Sequence, residues 1–136
     1  MRCHSLVQQG WLDGLFYEVR GQGETILLLH GIGGSHTMFK PQVTSLSKHY
    51  KTVTVDLNGN GNSESVKTKS YLTTHIKCIL ALMDHLKIKR AILVGLSYGG
   101  IITQLFAIIH PDKVKKMKMI LIDTYSRIQP KNLYEL

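Results

Sequence analysis

Residues 91–102, Ala91-Ile92-Leu93-Val94-Gly95-Leu96-Ser97-Tyr98-Gly99-Gly100-Ile101-Ile102, decide the fold. Residues 91–94 form a short apolar run that reads as a buried strand. Residues 101–109 are apolar nearly all round and read as a buried helix. His110-Pro111 ends that helix, because proline disfavours helical backbone in the residue before it. The chain must therefore reverse from strand to helix within residues 95–100, and it does so on a Gly-x-Ser-x-Gly pattern. That setting is what a nucleophile elbow requires. A side chain at Gly95 or Gly99 would collide with the neighbouring helix or strand. The Ser97 hydroxyl would be lifted above the sheet, facing the N-terminal amides and positive dipole end of the helix. An ordinary glycine-rich strand–helix turn has the same glycines, so the motif needs support from the rest of the chain.

Upstream, residues 25–30 contain Ile26-Leu27-Leu28-Leu29, a run suited to a strand covered on both faces of a parallel sheet. Residues 12–20, where Leu15, Tyr17 and Val19 alternate with Phe16 and Glu18, read as a strand entering the Gly21-Gln22-Gly23 turn. A further strand is placed within residues 4–9. A helix is expected over residues 36–48, a β-branched strand over 51–56 and a Gly/Asn/Ser-rich loop over 57–70. Leu72, Ile76, Ile79, Leu80, Met83 and Leu86 recur at helical spacing and give an amphipathic helix over 71–86. The last strand is placed at residues 119–122, closed by Asp123. Strands alternate with helices from residue 25 onward, which implies an α/β fold built on a mostly parallel sheet with flanking helices. Function in such sheets gathers at the carboxyl ends of the strands.

Two of those ends add chemistry. His30-Gly31-Ile32-Gly33-Gly34 follows the first buried strand, and its glycines allow close approach of backbone to a reacting group. Acyl transfer needs two N–H groups aimed at the developing oxyanion, and the Tyr98 and Ile32 amides are the natural pair. A phosphate loop is the competing reading, but the chain has neither G-x-G-x-x-G nor the P-loop lysine. Asp56-Leu57-Asn58-Gly59-Asn60-Gly61-Asn62-Ser63 is the other, and by itself reads as a turn.

Composition sets the frame. A chain of 136 residues suits one domain, and 43% hydrophobic with 19% charged residues excludes wholesale disorder. No apolar run approaches a membrane span, and no signal-peptide core is evident, so a cytoplasmic protein is expected. Cys3 and Cys78 lie in unrelated segments and form no metal spacing, so free thiols are expected and no metal. The net charge of +8 comes from lysines in scattered groups, at positions 67 and 69, 87 to 90 and 113 to 118, placed at turns and helix ends. Without interleaved aromatics these argue for a solvated surface rather than a nucleic-acid partner.

Taken in order, a His-Gly-x-x-Gly loop, an Asp-x-x-Gly-x-Gly-x-Ser loop, the elbow, His-Pro and a strand ending in Asp resemble the α/β-hydrolase superfamily, in its group of small esterase-, lipase- and peroxidase-like members. In this chain they are residues 30–34, 56–63, 95–99, 110–111 and 120–123, so the resemblance covers about residues 10–125. It implies Ser97 as nucleophile, the Ile32 and Tyr98 amides as oxyanion hole, support from His30, Gly31, Gly95 and Gly99, an ester or related acyl substrate and no cofactor. Asp123 stands where some branches place the catalytic acid. Asn58 and Asn60 replace the Arg and His usual in the family.

The resemblance also exposes a gap. The family's histidine lies on a loop beyond its last strand, and this sequence reads as one domain lacking the last strands and lid. After Ser97 the only histidine is His110. It lies at the far end of the same helix, roughly 20 Å away at 1.5 Å per residue, whereas a general base must come within about 3 Å. His30 and His36 lie nearer the oxyanion loop. His4, His49, His75 and His85 read as surface positions. The final strand is expected to be an open apolar edge, so a catalytically inactive remnant that self-associates through that edge is the alternative to a serine hydrolase.

Overall fold

A computed structural model describes residues 7–120. Six strands make one sheet: β1 (Val7–Leu12), β2 (Leu15–Arg20), β3 (Thr25–Leu29), β4 (Lys51–Val55), β5 (Ala91–Leu96) and β6 (Val114–Ile120). Their order across the sheet is β1-β2-β4-β3-β5-β6. The block β4-β3-β5-β6 is parallel, and β2 runs antiparallel to both of its neighbours. Three helices flank the sheet: α1 (Lys40–Leu46), α2 (Tyr71–His85) and α3 (Tyr98–Ile109). The α/β architecture expected from the alternating pattern is what the chain adopts.

The sheet separates two apolar layers. On one side α2 and α3 cover Leu27, Leu29, Val53, Val55 and Leu93 with Ile79, Leu82, Ile102 and Phe106. On the other, Phe39 and Val43 of the α1 region pack on Ile26 and Leu28. Every residue of β3 is buried, as a central strand covered on both faces must be.

Several boundaries differ from the sequence reading, each for a local reason. Asp13 and Gly14 both take positive φ, 48° and 82°, and close a two-residue hairpin between β1 and β2. The reading of a strand over 12–20 passed over this Asp-Gly turn signal. The helix expected over 36–48 is split: a 3-10 turn at His36–Phe39, capped by the Ser35 hydroxyl on the Thr37 amide, precedes α1, which has Pro41 in its first turn. Helix α2 ends at a left-handed Lys87 (φ 56°), with the Ile88 amide donating to the Met83 carbonyl at 2.8 Å and the Lys87 amide to Asp84. Those two bonds make a Schellman closure with lysine at the usual glycine position.

The largest correction concerns the last strand. It starts at Val114, not residue 119, and a bulge opposite Ala91 and Ile92 leaves Lys115 without a register partner. Lys115, Lys116 and Lys118 thus lie on the strand rather than at a turn or helix end, so the described strand carries three lysines ahead of Met119 and Ile120. Lys115 pairs with Glu24. The expectation of a buried α3 also fails on one face: Ile101, Ile108 and Ile109 are exposed, Ile108 at 68%. Among the described residues no helix is long and apolar enough to cross a membrane.

Candidate active site

Ser97 sits between β5 and α3 with φ 53° and ψ −114°, a conformation a non-glycine residue holds only when its surroundings impose it. The surroundings do so through two close approaches. A Cβ on Gly95 would run into the backbone of Gly99 and Gly100, and a Cβ on Gly99 would run into the carbonyls of Leu29 and His30. Both glycines of the motif are therefore required for the reasons read from the sequence. The Ser97 amide donates to the Ile120 carbonyl of β6 at 2.7 Å, and the Ser97 carbonyl accepts from Gly100 at 2.8 Å as α3 begins. The side chain is half-buried.

The His30–Gly34 loop lies against this elbow. A Cβ at Gly31 would stand 3.3 Å from the Ser97 Cβ and 3.9 Å from its Oγ. The Gly34 amide closes a turn on the Gly31 carbonyl at 3.1 Å, with Gly33 at φ 74°. Ile32, at the outer corner of that turn, is 84% exposed. Neither the Ile32 nor the Tyr98 amide donates to a described backbone carbonyl.

His30 is fully buried and both its nitrogens are engaged. The Leu57 amide donates to Nε2 at 2.8 Å, which leaves the proton on Nδ1, and that donates to the Gly31 carbonyl at 2.6 Å. Burial is the main cause that lowers its pKa, so the ring is a neutral brace joining the 56–63 loop to the His30–Gly34 loop.

Asp56 organises the next shell. Its carboxylate is fully buried; Oδ1 accepts from the His36 amide and ring Nδ1, and Oδ2 accepts from the Asn62 amide at 2.9 Å. The Asp56 carbonyl accepts from the Ser63 hydroxyl, whose oxygen accepts the Phe16 amide at 2.7 Å. The Asn/Gly loop is therefore a rigid cradle around one carboxylate. Asn60 donates to the carbonyls of Leu57 and Asn58, a structural role, while the buried Asn58 Oδ1 has no partner among the described residues.

No described histidine is placed to serve Ser97 as base. His36 is anchored at the end of β4, two strands from β5, about 10 Å across the sheet. His110 packs on Phe106 at the far end of α3. His75, expected at the surface, is instead buried, and its Nδ1 lies 3.1 Å from the Tyr98 hydroxyl. Its position on the apolar stripe of α2 with Leu72, Ile76 and Ile79 was the available signal. Burial first, then the neighbouring His30, lowers its pKa; burial raises that of the Tyr98 phenol. His49 and His85 are exposed as expected. His4, Cys3 and Asp123 lie outside the described residues. Cys78 is a free, half-buried thiol whose pKa burial and the nearby Asp13 push up. Among the described residues no three His, Cys, Asp or Glu side chains converge as a metal site.

This geometry agrees with what the chain is similar to. The family model described as alpha/beta hydrolase fold matches residues 24–134. The RutD protein of Caulobacter sp. (strain K31), named for a proposed carbamate hydrolase activity, is 33% identical over 129 residues, which cover 91% of this chain and 47% of that protein. The pimeloyl-[acyl-carrier protein] methyl ester esterase of Vibrio cholerae is 32% identical over 103 residues, 76% of this chain and 38% of the relative. Among solved structures, the enol-lactonase of Burkholderia xenovorans LB400 superposes with a TM-score of 0.75 at 33% identity, covering 81% of this chain and 45% of that one. The chain spans about half the length of the relatives it matches, or less.

Proposed function

The chain belongs to the alpha/beta hydrolase fold family, and from that premise we propose that it is a serine hydrolase by mechanism, with Ser97 as nucleophile toward an ester or related acyl substrate. The single observation that carries the reading is the backbone of Ser97: a positive φ held between two mandatory glycines, with the Gly31 loop against its side chain. Related proteins named for carbamate, methyl ester and enol-lactone substrates support an acyl carbonyl as the target.

In this reading Ser97 Oγ attacks the acyl carbon, and the oxyanion accepts hydrogen bonds from the Ile32 and Tyr98 amides. The leaving group departs with a proton, and water then releases the acyl group from Ser97. The serine proton needs an acceptor, and residues 7–120 do not place one. Asp123 is our candidate for the acid that would orient it. On residues 7–120 alone the expected chemistry is covalent capture with slow turnover, since an oxyanion hole retains part of the acceleration without the triad.

A fluorophosphonate probe tests this. Labelling of Ser97, abolished in Ser97→Ala, is the expected result; a folded chain that takes no label rejects the reading.

The second reading, an inactive module that pairs through β6, is favoured by that strand's place at the edge of the described sheet and by the exposed isoleucines of α3. Lys116 and Lys118 oppose it, because charged residues along an edge strand discourage pairing. Sedimentation of the unlabelled chain decides: a stable dimer that loses association when β6 is blocked by Met117→Pro supports pairing, and a monomer at high concentration rejects it.

A further inference from the structure

We infer that His75 and the Tyr98 phenol form a clamp between α2 and α3 that positions the Tyr98 amide for the reaction at Ser97. The inference rests on the reading of Ser97 as nucleophile and of that amide as an oxyanion donor. Tyr98 Oη lies 3.1 Å from His75 Nδ1, and the two rings meet edge-on with centroids 5.6 Å apart. Neither side chain has a part in the chemistry described above.

A clamp matters here because of the peptide unit that joins Ser97 to Tyr98. Its orientation is set by ψ of Ser97, which stands at −114° with φ at 53°. That combination lies outside the regions a non-glycine residue favours, so rotation about ψ would relieve strain. The same rotation would re-aim the Tyr98 N–H. At its carbonyl the unit is held by the Gly100 amide, which donates to the Ser97 oxygen at 2.8 Å. At the Tyr98 end the amide lies in the first turn of α3, where no intrahelical acceptor exists, and it donates to no described backbone carbonyl. The side chain is therefore the anchor available at that end, and its hydroxyl meets His75.

His75 has the properties of such an anchor. It is 4% exposed on the apolar stripe of α2, where an aliphatic side chain would bury no polar atom. Its Nε2 is buried with no partner, so among the described residues the Tyr98 hydroxyl is the ring's one hydrogen-bond partner. Burying a ring with one nitrogen unpaired costs free energy, and the bond to Tyr98 is what fixes its orientation. Either neutral tautomer makes that bond, because the phenol and Nδ1 can each donate. Burial lowers the His75 pKa and raises that of Tyr98, so both groups are neutral at neutral pH.

The test follows fluorophosphonate labelling of the 136-residue chain against probe concentration, which separates affinity for the probe from the rate constant of the covalent step. Tyr98→Phe removes only the hydroxyl, and His75→Leu removes the ring nitrogens. Both should keep the affinity and the circular dichroism of the parent chain. Both should slow the covalent step about fivefold or more, the effect of misaligning one oxyanion donor. His75→Asn, whose amide can take the place of Nδ1, should recover most of that rate. A Tyr98→Phe chain labelled at the parent rate, or equal slowing in His75→Asn and His75→Leu, overturns the inference and leaves Ser97 as nucleophile. Should His75→Leu not fold, Tyr98→Phe decides by itself. A folded parent chain that takes no label overturns the reading of Ser97 and this inference with it.

Discussion

His36 and Asp56 are joined twice through one oxygen: the His36 amide reaches Asp56 Oδ1 at 2.6 Å and the His36 ring Nδ1 reaches it at 2.8 Å. The carboxylate is fully buried and also holds Asn62, so it ties the segment after the His30–Gly34 loop to the loop after β4. Asp56→Asn keeps the shape but replaces one acceptor oxygen by a donor and removes the charge. The expected loss of stability is about 2–4 kcal/mol, measured by urea unfolding. A loss under about 0.5 kcal/mol would mean that the cradle does not depend on this carboxylate.

Stability should fall as the solution is acidified below neutrality. His30 and His75 both have folded pKa values below the ordinary 6.5, in each case chiefly because burial disfavours the charged ring. The unfolded chain therefore binds protons that the folded chain does not, and unfolding gains as pH falls through 6.5. Stability from these two rings is fully present above that pH and is lost progressively toward their lower folded values. Glu18 adds a second, more acidic loss. Burial raises its pKa, but hydrogen bonds from Gln9 and Arg20 outweigh that and hold it below 4.5, so its contribution disappears as pH drops under 4.5. Urea midpoints between pH 8 and 4 should trace both steps, and His75→Gln should shrink the first. Constant stability from pH 8 to 5.5 would contradict the burial of both rings.

Two glycines near the site should respond to alanine very differently. At Gly99 the new methyl meets the Leu29 and His30 carbonyls, which belong to the central strand and its end and cannot yield. Loss of about 3 kcal/mol or failure to fold is expected for Gly99→Ala. At Gly33 nothing lies within 4 Å, and only the φ of 74° resists, so Gly33→Ala should cost about 1 kcal/mol. Thermal unfolding of both variants checks the contrast, and equal effects would show that space around the elbow is not the constraint.

Ser97→Gly should raise stability while removing the proposed nucleophile. A serine at φ 53° and ψ −114° carries strain of about 1–3 kcal/mol, which glycine relieves at a smaller entropic cost. Calorimetry should show a higher Tm for Ser97→Gly than for Ser97→Ala, because alanine keeps the Cβ and the strain. The reverse order would remove the argument that the elbow is strained.

The sequence by itself determined the α/β class, the buried strand β3, the helix α2 and the elbow. Each rests on local rules: apolar runs, helical periodicity and glycines where a side chain has no room. Ser97, Gly95 and Gly99 were legible because their constraints are made by residues close in sequence or by strands the same pattern reveals. Asp13-Gly14 was equally legible, as a two-residue hairpin signal. Other features depended on contacts between distant segments. His75 is buried because α2 meets Tyr98, and His30 is inert because Leu57, 27 residues on, takes its Nε2. The β6 start followed from its register against β5, where a bulge absorbs one residue. Asp56, one more turn residue in the chain, became the centre of a cradle only when the fold brought His36, Asn62 and Ser63 around it. Burial and hydrogen-bond partners are properties of the packed sheet, and no local pattern encodes them.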